Sequence, residues 1–398
     1  ELNGVRDYFH GFMVPRTGYL DLFDLRHYNE GFILQFPRRT WPGVLQPFDD
    51  EPRLAQVFQT YKDWLTIMGV GNVNSLNQAI TGGRSSEVIM VAEALHERQL
   101  ASIARAIASR QPAVRLVAVS GPTSAGKTTF SKRLALQVMA QGIYPVIISL
   151  DDYFVDREAT PRDASGAFDF ESLGALDIAL FQSDMCRLMA GEEVLLPRYN
   201  FKTGRREVGT PLSIGKDHIV MIEGIHGLNP RLTDSLPESA TFRVFISAFT
   251  QLNLDKHNRV PTTDTRLLRR IVRDAAHRGY SAAQTIGRWN SVRRGEKNHI
   301  FPFQNSADVF FNSALVYELS ALKPLAEPLL MQVETGTPER LEANRLMAFL
   351  QWFEPLPEAD LRYVANDSIL REFIGGSVLD TFHPSHWYAT EATAERIS

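Results

Sequence analysis

The 398-residue sequence has a single cysteine, Cys186, so no intramolecular disulfide can form, and the expected setting is reducing and cytoplasmic. It has no run of about 18 apolar residues, which excludes a helical membrane span. It has little excess charge: 42 basic side chains face 46 acidic ones, a formal net charge of −4, so nothing draws the whole chain to nucleic acid or anionic lipid. Any basic site must be local. Internal repeats and low-complexity tracts are absent as well. The chain opens ELNGVRDYFHG, with neither an initiator Met nor a basic-then-apolar leader, and reads as a processed chain or a fragment. What is present is 44% hydrophobic content over a length sufficient for two or three domains.

Periodicity divides the chain into four parts. Residues 1–83 mix short alternating runs such as GFILQF (31–36) with turn-rich pieces, which predicts a small α+β module. Residues 84–112 carry Val88, Val91, Leu95, Ile103 and Ile107 at helical spacing and read as a connector helix. Over 113–335, apolar runs at 115–119, 145–150, 218–222, 242–247 and 308–312 alternate with helical patterns. That alternation predicts an α/β fold with a parallel sheet covered by helices on both faces. Residues 336–398 read as a helical extension (339–353) leading to SILREFIGG (368–376) and a polar tail.

The motif GPTSAGKT (121–128) follows the first of these runs and opens a helical stretch, 126–141. It fits G-x-x-x-x-G-K-[ST], whose backbone N–H groups turn inward around phosphate oxygens. Gly121, Pro122, Thr123, Ser124, Ala125, Gly126, Lys127, Thr128 and Thr129 are therefore the candidate nucleotide-binding residues, with Lys127 on the outer phosphates and Thr128 on Mg²⁺. A guanine-reading N-K-x-D is missing; NLDK (253–256) has the wrong order. Two further runs end in acids, Asp151 and Asp152 in SLDDYF (149–154) and Glu223 in HIVMIEG (218–224), at the sheet edge where such folds bind ligands. One of the adjacent acids, by strand alternation, faces the phosphates and can take a hydroxyl proton; Glu223 and Asp152 are candidates for the metal shell. In DTRLLRRIVRD (264–274), arginines 266, 269 or 270, and 273 share one helical face, a stripe able to close over a triphosphate. Each of these features alone also fits a solvated loop or face.

Together they resemble the uridine kinase and phosphoribulokinase group of P-loop kinases, over roughly residues 114–330. SLDDYF is similar to that group's S-x-D-x-[FY]-[FY], which implies Asp151 as the catalytic base and Phe154 beside the acceptor. FDFE (168–171) is similar to its sugar-binding segment, implying that Glu171, with Asp169, holds ribose hydroxyls, and ALD (175–177) follows as expected. IEGI (222–225) and the 264–270 segment match its metal-site and lid motifs, implying that Lys127, Arg266, Arg269 and Arg273 hold the triphosphate of ATP with Mg²⁺. One motif departs. Where relatives carry Y-D-F-x-x-H-x-R, this chain has YNFKTGRR (199–206), with Gly204 at the histidine position. Tyr199 and Arg206 remain, and the added positive charge of Lys202, Arg205 and Arg206 makes an anionic acceptor thinkable. The flanks resemble bacterial uridine kinase-like proteins with a threonyl-tRNA synthetase-like N-terminal module, on DYFHGFMVPRTG (7–18) and SILREFIGG. The resemblance implies a phosphotransferase acting on the 5′-hydroxyl of a nucleoside, uridine or cytidine first. The alternatives are kinases of another small polyol or sugar phosphate, and a nucleotide-dependent RNA-binding module. A small-molecule acceptor is the expected partner, without membrane or nucleic acid, and a homo-oligomer is compatible with the sequence.

Overall fold

The computed structural model of the chain describes residues 14–384 apart from 30, 39–40, 164–165, 235–236 and 256–257. The DYFHGFM part of the N-terminal resemblance therefore lies outside the described residues. Two compact units divide at Pro52/Arg53, so that residues 53–83, read from the sequence with the small module, belong to the larger unit.

In the smaller unit, β1 (Asp24–Tyr28) and β2 (Gly31–Gln35) pair antiparallel, Leu25 opposite Leu34 and Arg26 opposite Ile33. Tyr28 Oη donates to Asp50 at 2.6 Å.

The larger unit begins with α1 (Pro52–Met68), α2 (Val73–Thr81) and α3 (Ser85–Ala108). Asn72 and Ser75 form a capping box that fixes the start of α2. Along α3, Val88, Ile89, Ala92, His96, Leu100, Ile103 and Ile107 are buried at three- and four-residue steps, the apolar stripe of a packed helix. There follow β3 (Leu116–Ser120), α4 (Lys127–Met139), β4 (Tyr144–Ser149), α5 (Ile178–Met189), β5 (Val194–Asn200), β6 (Arg205–Leu212), β7 (His218–Gly224), α6 (Pro230–Thr233) and β8 (Thr241–Ser247). The chain continues through α7 (Thr262–Arg273), α8 (Ala282–His299), β9 (Val309–Asn312), α9 (Glu318–Met331), α10 (Pro338–Leu350) and α11 (Arg371–Ile374).

β4, β7, β3, β8 and β9 form one sheet in that order, all parallel, while β5 and β6 make a separate antiparallel hairpin. Alternation decides which core each side chain enters. Val117 and Val119 of β3 join one cluster with α3, α4, α7 and α9, and Leu116 and Ala118 join the other with β4, α5 and the hairpin. Both faces are therefore covered, as the near-continuous apolar runs require. The five sheet strands fall within two residues of the runs read from the sequence. The sheet order reverses around β3, and the carboxyl ends of β3, β4 and β7 open on one edge, the ligand-binding edge of such a sheet.

Candidate active site

The turn between β3 and α4 carries the phosphate-binding motif. Gly126 caps α4 at φ +86°, a left-handed conformation that a Cβ would strain, and Ser124 also has positive φ at +57°. These two residues turn the loop so that α4 points its N–H groups into the site. Lys127 Nζ donates to Pro122 O at 3.1 Å across the loop. Burial draws the lysine's pKa down, and nearby Glu223, Asp151 and Glu372 oppose that shift.

Three oxygens converge beside it. Glu223, the β7 acid, is 6% exposed; its Oε1 accepts from Ser149 Oγ at 3.0 Å and Thr128 Oγ1 at 3.3 Å. Burial first, and Asp151 second, raise its carboxyl to about 7. Hydroxyl and carboxylate oxygens at the foot of a P-loop are the hard donors that Mg²⁺ takes.

Strand alternation does not separate Asp151 from Asp152, because β4 ends at Ser149 and residues Leu150–Tyr153 form a 3₁₀ turn. Ser149 Oγ accepts the Asp151 N–H at 3.3 Å, and Asp151 lies in the field of Lys127, Glu223, Glu171 and Arg278. Asp152 faces the hairpin instead: its Oδ1 accepts the Tyr199 N–H at 3.1 Å. That bond anchors the hairpin and turns Asp152 away from the three converging oxygens.

Glu171 enters from the other side. A Cβ on Gly295 of α8 would overlap its Cβ, so the glycine is what admits the carboxylate. Asp169 stays in the turn, accepting the Glu171 N–H at 3.2 Å. Burial raises the Glu171 carboxyl to about 7 against the pull of Arg270, and its Oε2 has no protein partner. A buried acceptor left unpaired is uncommon and points to a ligand donor. Phe154, Tyr199 and Phe201 pack edge to face with centroids 5.1–6.4 Å apart. Arg206 pairs with Asp177 at 2.8 Å, bracing the hairpin. Over Gly204 lies Arg157: a Cβ there would stand 2.7 Å from its guanidinium, which donates to Phe201 O at 2.8 Å.

The lid arginines require a correction. The polar face of α7 carries all of them, but Arg266 and Arg269 are 2% and 0% exposed and already paired. Arg266 pairs with Glu296, donates to Thr123 O at 3.0 Å and lies 5.5 Å from the Trp289 centroid. Arg269 pairs with Glu318 at 2.5 Å and donates to Ser313 O at 2.8 Å and Ser124 O at 3.3 Å. They hold the loop's carbonyls from beneath instead of closing over it. Glu296 completes that support by accepting the Thr123 N–H at 3.0 Å. Arg270 donates to Thr123 Oγ1 at 3.2 Å and pairs with Asp274 at 3.2 Å, and Arg273 pairs with Asp274 at 3.0 Å; their charges act on Glu171 and Lys127, while the charge of Asp151 acts on Arg278. Arg278 lies 5.7 Å from the Phe201 centroid and so links the lid to the hairpin. The sequence reading missed Arg278, Glu296, Gly295 and Arg157; only Arg278, in the same cationic run as the lid, left a signal that could have found it.

Among the described residues no helix is long and apolar enough to cross a membrane, and no group of three or more His, Cys, Asp or Glu forms a metal cluster.

Comparison with known proteins gives the family. Residues 116–320, more than half of the chain, match the Phosphoribulokinase / Uridine kinase family. Uridine-cytidine kinase B of Dictyostelium discoideum is 27% identical over 195 residues, covering 49% of this chain and 72% of its own. The uridine kinase of Halobacterium salinarum is 25% identical over 195 residues, covering 48% and 77%. Among solved structures, D-glycerate 3-kinase from Cryptococcus neoformans var. grubii aligns with a TM-score of 0.38 at 13% identity, over 52% of this chain and 89% of that one, and carries no functional argument. The P-loop, the acids at the sheet edge and the lid thus stand inside a matched family region, and the chain belongs to the phosphoribulokinase/uridine kinase family and is a phosphotransferase.

Proposed function

We propose that the protein transfers the γ-phosphoryl group of ATP to the 5′-hydroxyl of a ribonucleoside, with uridine and cytidine the first candidates. The observation that carries this reading is Glu171, a half-buried residue whose Oε2 is buried and unpaired, in the field of Lys127 and Asp151. A vicinal diol supplies hydroxyl donors for that oxygen. The aromatic cluster in which exposed Phe201 packs on buried Phe154 and Tyr199 supports a flat base beyond the sugar.

In this reading Asp151 accepts the hydroxyl proton as the oxygen attacks the γ-phosphorus, the β–γ bridging bond breaks, and ADP leaves with the electron pair. Lys127, Arg270 and Arg273 neutralise the charge that builds on the transferred group. Thr128 and Glu223 would hold Mg²⁺, which supplies further charge neutralisation when bound. The loop N–H groups of residues 121–129 position the phosphates.

A second reading, phosphorylation of a small anionic polyol such as a sugar phosphate, draws support from Arg157 beside the aromatic residues over Gly204. ADP release from ATP with uridine, cytidine, 2′-deoxyuridine, pantothenate and ribulose 5-phosphate separates the two. Turnover of uridine or cytidine with discrimination against the deoxynucleoside supports the first reading; turnover of ribulose 5-phosphate alone replaces it with the second.

A further inference from the structure

The chain beyond α10 lies outside the matched family region, yet it returns to the P-loop. α11 presents Glu372, whose Oε2 accepts from Thr129 Oγ1 at 3.0 Å and from the Thr129 N–H at 3.4 Å. Thr129 is the third residue of α4, so its N–H is among the donors that have no partner within the helix and point at bound phosphate. Ile369 closes on the same turn: a Cβ on Gly126 would stand 2.5 Å from its Cγ2.

This segment is built into the fold. Ile369 and Leu370 are fully buried, and Ser368 Oγ donates to Glu93 of α3 at 2.5 Å. Arg371 donates to Leu361 O and Val364 O at 2.9 and 2.8 Å, and Lys132 Nζ donates to Leu379 O at 2.5 Å. The Phe373 ring lies 4.9 Å from the Arg269 guanidinium, which itself holds Ser124 O. Glu372 thus reaches the phosphate cradle from a clamped element.

We propose that Glu372 is a resident anion of the nucleotide site, occupying on Thr129 the donor that the innermost phosphate of a nucleotide needs. The inference rests on the reading of the P-loop as the nucleotide site. A carboxylate and a phosphate cannot share one N–H without like-charge repulsion in a partly desolvated place. Either the carboxylate swings away or the phosphate sits against it, and both weaken binding. Glu372 is then a positioning residue through which the C-terminal segment sets nucleotide affinity.

Titration calorimetry of ADP with Mg²⁺ on the full chain tests this. Glu372→Gln keeps the shape and an acceptor oxygen but removes the charge, and it should bind ADP about tenfold tighter, equivalent to about 1.4 kcal/mol. The gain should shrink as salt rises. Glu372→Asp, which withdraws the charge by one methylene, should show a smaller gain and serves if the Gln variant does not fold. Unchanged or weaker ADP binding in a folded variant overturns the inference. A wild-type protein that binds no ADP overturns the P-loop reading beneath it, which distinguishes the two failures.

Discussion

Arg269 and Arg273 lie four residues apart on the same helix, yet the proposed reading gives them opposite tasks, and methionine at each position separates these. Arg269 is fully buried against Glu318, itself 2% exposed, with further bonds to Ser313 O and Ser124 O. Its removal leaves the Glu318 carboxylate without its cation in a dry site, a loss of about 3–5 kcal/mol. For a unit of this size, where each kcal/mol shifts Tm by about 2 °C, Arg269→Met should lower Tm by roughly 6–10 °C. Arg273 pairs with its neighbour Asp274 at 3.0 Å, and its charge acts on Lys127. Arg273→Met should hold Tm within a few degrees while turnover falls by about 10²- to 10³-fold, the usual loss for a charge-stabilising group. Thermal unfolding and steady-state ADP release on both variants decide the matter. An Arg269→Met protein of normal Tm and abolished turnover, beside an Arg273→Met protein of normal turnover, would refute the division of tasks between these two arginines.

Asp151→Asn should cut turnover by about 10²- to 10⁴-fold with ADP affinity retained, whereas Asp152→Asn, which keeps an oxygen for the Tyr199 N–H, should stay within a few-fold; steady-state rates in the reverse order refute the assignment. Burial raises the carboxyls of Glu171 and Glu223 to about 7, so in the proposed reading the acceptor-side and metal-side carboxylates ionise as pH rises through that value. The pH profile of kcat/KM for the acceptor should climb toward a plateau above that value, and Glu171→Gln should make the climb shallower; an unchanged slope counts against Glu171. The same shifts act on stability: with folded values near 7 against 4.5 for the free side chain, the native state holds more protons between those limits, and unfolding free energy should fall as pH rises across that window and level off above it. Denaturant titrations from pH 4.5 to 8 check this. Gly295→Ala gains about 1 kcal/mol of helix propensity but forces Glu171 aside at an overpacking cost of about 1–3 kcal/mol. Stability should move little while acceptor KM rises on the order of tenfold; an unaltered KM would mean that Glu171 does not touch the acceptor.

The sequence by itself determined the sheet, the P-loop and the helices around them, because each is written in local pattern. Strand runs buried on both faces, a glycine where φ must be positive at 126, and apolar residues at helical steps along α3 fix elements without reference to distant chain. It also determined that α7 carries its arginines on one face. Which of them remain for the substrate was decided only in three dimensions. Glu296 and Glu318 come from 30 and 49 residues away to neutralise Arg266 and Arg269, so the first half of the stripe supports the loop, while Arg270 and Arg273 pair with Asp274. Asp151 and Asp152 were adjacent acids in the sequence, and the 3₁₀ turn after β4 with the Tyr199 N–H assigned them different partners. Glu171 needed Gly295 to enter, Arg157 came to lie over Gly204, and Glu372 reached Thr129 across 243 residues. Periodicity reports which side of an element is polar, but a buried charge is defined by what stands opposite, and that partner is set by how the elements pack.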